Sequence, residues 1–90
     1  MGNPMMTDKN PNDVKEWSPE HVKKHLEEHI TSSKYDNNDI KKIWDQDVDG
    51  YTFLRLTEEK LTNTNGPFKI KLGHASHIMK LVEGLKEKQG

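Results

Sequence analysis

An all-α fold, a small five-helix bundle with four short helices and a longer C-terminal fifth, is predicted by three observations. Apolar residues recur at helical spacing, most plainly at Leu72, Ala75, Ile78, Met79, Val82 and Leu85. Helix-starting residues precede short apolar groups at Ser18-Pro19 and at Thr57-Glu58-Glu59. Turn signals at Asp49-Gly50 and over residues 62–67 cut the chain into short pieces.

Residues 1–13 carry Gly, Asn, Pro and Asp without periodicity and are expected to form a flexible lead. The folded domain is expected over 14–88, with 89–90 a tail. In the first helix Ser18 is the N-cap and Pro19 holds the first helical position, where its missing N–H costs nothing. Trp17 and Val22 occupy the two positions of a hydrophobic staple across that cap. Val22, Leu26 and Ile30 supply the buried stripe, so the helix should end near Glu28. Thr31-Ser32-Ser33 reads as a loop.

A second helix is expected from Asp36 to Trp44 with Ile40 and Ile43 inward. Asp49-Gly50 marks a turn, after which Phe53, Leu54 and Leu56 suggest a very short third helix. Thr57 caps a fourth, with Glu58 and Glu59 at its positive end and Leu61 buried. The Asn- and Gly-rich stretch to Pro67 breaks it. The fifth helix should begin between Lys69 and Gly73 and run toward Lys88. Gly84 inside it costs about 1 kcal/mol relative to alanine, which packing must offset.

Composition narrows the function. Ninety residues make one small domain, 30% hydrophobic and 32% charged, with a mean hydropathy of −1.05. Without cysteine there is no disulfide, thiolate metal site or cysteine nucleophile. No apolar run reaches membrane-span length and no signal peptide is recognisable, which fits the cytoplasm without excluding the nucleus. Met1-Gly2 suggests a myristoylation motif, but Met6 stands where Ser or Thr is needed. No phosphate loop, nucleophile elbow or paired-acid cleft is present, so neither enzyme activity nor a cofactor is expected.

Asp45, Asp47, Asp49 and Gly50 match the first half of an EF-hand calcium loop. The loop must close on a bidentate glutamate at its twelfth position, and that position is Leu56. Phe53 likewise offers no oxygen at the ninth. A calcium site is therefore not expected. His21, His25 and His29 recur every four residues, and His74 and His77 are three apart, but neither group carries a His-Glu-x-x-His pattern. No metal is expected at either; surface histidines with some pH sensitivity are.

The net charge is −1, yet its distribution is uneven. Residues 36–59 hold seven acids (Asp36, Asp39, Asp45, Asp47, Asp49, Glu58, Glu59) against Lys41, Lys42 and Arg55. From Gly66 onward five lysines (Lys69, Lys71, Lys80, Lys86, Lys88) face two glutamates, joined by His74 and His77. A dipolar chain of this kind suits self-association or a related partner better than a polyanion.

Three segments resemble the sterile alpha motif (SAM) domain family: Trp17-Ser18-Pro19-Glu20-His21-Val22; Val48-Asp49-Gly50-Tyr51-Thr52-Phe53-Leu54-Arg55-Leu56-Thr57-Glu58-Glu59-Lys60-Leu61; and Leu72-Gly73-His74 followed by Ile78, Val82 and Leu85. Together they span about residues 14–88. His25 replaces the Trp that often precedes the helix-one Leu, Ala75 replaces a common basic residue, and the link between helices four and five is longer than usual.

The resemblance implies a non-catalytic protein–protein interaction module. It would bind a second copy or another SAM domain, with head-to-tail oligomerisation as one outcome. On that basis an acidic central surface is expected at Asp39, Trp44, Asp45, Asp47 and Asp49. The complementary surface would be the basic N-terminal end of helix five, at Lys69, Lys71, Leu72, Gly73, His74 and His77. Trp44, beside Ile43, is expected in the core, with an exposed interface anchor as the alternative. A SAM domain that binds an RNA hairpin through the helix-five surface is the second reading, against which the near-neutral charge weighs.

Overall fold

The computed structural model describes residues 12–89, so residues 1–11 of the expected lead and residue 90 of the expected tail lie outside the described residues. Five α-helices follow one another: α1 (Pro19–Glu28), α2 (Asn37–Asp45), α3 (Gly50–Leu54), α4 (Glu58–Thr62) and α5 (Leu72–Gln89). Single 3-10 turns at Val14–Glu16 and Ile30–Ser32 flank α1. The described residues contain no strand, and the all-α expectation of four short helices and one long one matches this order.

Side-chain caps set most of the helix starts. The Asp13 side chain accepts the Lys15 amide at the first 3-10 turn. Ser18 caps α1 by accepting the His21 amide, while Nδ1 of His21 accepts the Ser18 amide, a reciprocal box in which histidine does the work usually done by Glu or Gln. Asp36 and Asp39 form the equivalent box on α2. Asp49 caps α3 and Thr57 caps α4.

The core gathers one or two side chains from each short helix onto α5. Val22 and Leu26 of α1, Ile40 and Ile43 of α2, Phe53 of α3 and Leu61 of α4 are all buried. They meet Ala75, Ile78, Val82 and Leu85 on one face of α5, with Met79 partly buried beside them. Trp17 is buried, and so is Tyr35, whose hydroxyl donates to the Leu26 carbonyl at 2.6 Å across the α1–α2 connection.

Four expectations are corrected. Leu72 was placed on the apolar stripe of α5 but is 63% exposed, because the inward face starts one turn later at Ala75. Trp44 was expected in the core and is 41% exposed. The link from α4 to α5 does more than break a helix: Phe68 and Ile70 are buried, and the Ile70 amide donates to the Leu61 carbonyl at 2.8 Å. Lys69 between them takes a left-handed φ of 51° that turns its side chain outward.

The fourth concerns Asp49-Gly50, expected as a turn: Asp49 caps α3 and Gly50 is its first residue, and the turn itself falls earlier, at Gln46-Asp47. Gly50 does not have positive φ; the left-handed residue of this junction is Asp47, at φ 55°. Glycine is needed at position 50 for space. A Cβ there would stand 1.7 Å from the Val14 carbonyl oxygen and 2.8 Å from the Trp17 Cβ. The Gly50 amide also donates to the Trp17 carbonyl at 2.9 Å, tying α3 to the segment before α1.

Candidate interaction surfaces

The acidic surface grows from the end of α2 and the turn that follows. Asp45, in the last turn of α2, is exposed and pairs with Lys41 one turn earlier at 3.0 Å. Asp47 is exposed in its left-handed conformation, which Asp tolerates better than most residues. Asp49 accepts the Thr52 amide at 2.9 Å. That backbone hydrogen bond holds its carboxyl below the usual carboxylate range.

Beside this run Trp44 presents its ring, with the Lys23 ammonium of α1 at 5.6 Å from the ring centroid. Tyr51 is 54% exposed at the start of α3, and the Arg55 guanidinium lies 5.4 Å from its ring. The sequence reading missed Tyr51 and Arg55 as surface features. A five-residue helix spans too few turns for periodicity to separate its outward face from its inward one.

At the other surface Lys69, Lys71, Leu72 and Gly73 are all exposed, and a Cβ at Gly73 would meet nothing within 4 Å. The Lys69 carbonyl accepts from Nζ of Lys42 at 3.2 Å, which fastens the link to the last turn of α2. His77, one turn into α5, is half-buried. Ser76 donates to Glu58 at 2.8 Å and so ties α5 to α4.

Asp39 departs from its expected place. It is 3% exposed and belongs to no open acidic surface. Its Oδ2 accepts the Asp36 amide at 3.0 Å and lies 2.7 Å from Nδ1 of His74, a residue of the other surface. One carboxylate thus completes the cap of α2 and holds the first turn of α5. Asp36 is exposed beside this pair. Its carboxyl is held below the usual range, first by the hydrogen bond from the Asp39 amide and to a lesser degree by His74.

The basic surface reaches α2 at two places, with His74 at its first turn and the Lys69 carbonyl at Lys42 in its last turn. Asp45, Asp47 and Asp49 lie at and beyond that last turn. From Asp39 to Asp45 the helix rises about 9 Å.

The α1 histidines are engaged locally. His25 lies between two rings, with centroids 5.1 Å from Trp17 and 4.4 Å from His29. Its pKa is pushed down to about 4, chiefly by burial and then by the nearby charges of His29 and Lys88. Nδ1 of His29 donates to the His25 carbonyl at 3.0 Å. Among the described residues the side chains that bring three ligand-type atoms within 4.8 Å of one another are Asp36, Asp39 and His74. Asp36 and Asp39 there already accept the amides of the α2 cap.

No helix of the described residues is long and apolar enough to cross a membrane. Comparison with curated proteins and with solved structures returned no match. A family model described as a SAM-like domain matches residues 3–84, which takes in the first four helices and most of the fifth. The five-helix order, the cap at Asp49 and the long α5 that closes the core accord with that match, and the chain belongs to the SAM-like domain family.

Proposed function

We propose that this domain docks onto other SAM domains, a second copy of itself included, by setting an acidic turn against the start of α5. SAM-like domains are typically non-catalytic protein-interaction modules and often bind one another. The observation that carries the reading is Leu72. A leucine 63% exposed at the start of a long helix, between Lys71 and an open Gly73, has apolar area to bury at the positive end of the helix dipole. Asp45, Asp47 and Asp49 beside the exposed Trp44 offer the opposite charge and a second apolar anchor. Because the acidic turn and the start of α5 are different parts of one chain, a contact between them can repeat head to tail.

The RNA-hairpin reading draws less support. The net charge of −1 gives no general drive toward a phosphate backbone.

Sedimentation velocity across a range of concentration and salt tests the proposal. Asp45→Lys and Leu72→Asp should each abolish the larger species. An equimolar mixture should restore a heterodimer, since each variant keeps one intact surface. Asp45 is the better site for charge reversal than Asp47, whose left-handed backbone would add strain to a lysine. A wild-type chain that stays monomeric at high concentration would sink self-docking; titration with an RNA hairpin then examines the second reading.

A further inference from the structure

We propose that Asp39 is a positioning residue for the docking surface of α5, presenting His74 as a proton-carrying contact so that docking of an acidic partner takes up one proton. The inference rests on the docking reading above and names how that contact is regulated.

The geometry has three parts. Asp39 is buried and its Oδ2 lies 2.7 Å from Nδ1 of His74, so the proton on that nitrogen is held inward. The His74 side chain is 24% exposed, and with Nδ1 committed, Nε2 is the ring atom left to meet a partner. The same Oδ2 is fixed by the Asp36 amide at 3.0 Å, so the carboxylate cannot follow the ring if it turns. An imidazole gripped at one nitrogen by a buried carboxylate has one orientation to offer.

A partner carboxylate closing on Nε2 places the ring between two anions. That arrangement favours the doubly protonated imidazolium, the second proton coming from solvent. The ring meets Asp39 and Asp36 from α2, with Lys71 three residues before it and His77 three residues after it; Glu58 of α4 is drawn to Ser76, and Nζ of Lys42 is held at the Lys69 carbonyl. Docking that adds a proton to the ring loses affinity as pH rises. The limit for one linked proton is about tenfold per pH unit.

Long-range proton–nitrogen spectra of the nitrogen-15-labelled chain read the tautomer directly. Sedimentation equilibrium of the wild type, His74→Gln and Asp39→Asn between about pH 6 and about pH 8 reads the linkage. The expected result is a hydrogen on Nδ1 of His74 and a wild-type affinity several-fold weaker at the higher pH. The dependence should be absent in His74→Gln and reduced in Asp39→Asn. A hydrogen on Nε2 with Nδ1 bare overturns the inference, as does a pH dependence that survives His74→Gln. Association that is flat with pH overturns this inference alone, whereas a chain monomeric at every pH overturns the self-docking reading with it.

Discussion

Gly50 sits against Val14 so closely that a single methyl group at position 50 would fall 1.7 Å from the Val14 carbonyl oxygen. The obstacle is backbone, held in place by the Trp17 amide, which donates to that same oxygen at 2.9 Å. The first turn of α3 and the 3-10 turn before α1 can pack only if one of them lacks a side chain.

Gly50→Ala should therefore destabilise the domain by about 3 kcal/mol, since α3 must move off the N-terminal segment. Denaturant melts followed by circular dichroism measure it. A loss under about 1 kcal/mol would mean that the segment around Val14 yields easily.

Gly84→Ala should act in the opposite direction. Gly84 is exposed in the interior of α5, and a Cβ there would meet nothing within 4 Å. Alanine restricts the unfolded chain and favours the helix, so the same melts should show a gain of about 0.5–1 kcal/mol.

Tyr35→Phe removes a buried donor from the Leu26 carbonyl while leaving the ring in the core. The carbonyl keeps a second donor, the His29 amide at 3.3 Å. The cost should be about 1 kcal/mol. In the wild type, burial pushes the Tyr35 hydroxyl up to about 12, so its ultraviolet titration should lie well above the usual tyrosine range.

Acid should weaken the fold through His25. Its folded pKa of about 4 lies below its unfolded value, so the unfolded chain binds more protons through the interval between them. Stability is then complete above about pH 6.5 and declines as pH falls toward 4. Because His25 keeps part of its solvent contact, the total should be about 1–2 kcal/mol, less than the full shift would supply. Chemical denaturation at stepped pH should show this slope, and His25→Phe, which keeps a ring between Trp17 and His29, should flatten it. An unchanged slope in that variant would assign the acid sensitivity to other groups.

Much of the fold was readable along the chain. Ser18 and Thr57 cap the helices whose starts they signalled, and the α5 stripe from Ala75 to Leu85 faces inward as its spacing required. These features are legible because caps and periodic stripes depend on residues within a turn or two of each other. Phe68 and Ile70 escaped notice because a two-residue apolar alternation in an irregular link has no period to detect. Trp44 and Leu72 were misplaced for a related reason. Each stands at the end of a stripe, where the direction of a side chain depends on what the neighbouring element covers.

The candidate surfaces divide in the same way. The sequence by itself determined the class of fold, the acid-rich turn at Asp45–Asp49 and the basic approach to α5, because composition and local order suffice for these. Only the tertiary structure decided that Asp39 leaves the acidic surface to grip His74, 35 residues away, and that Gly50 is glycine because Val14 and Trp17 lie against it. A contact between distant residues depends on how separate helices come to rest, and that arrangement is set by the packing of the whole core.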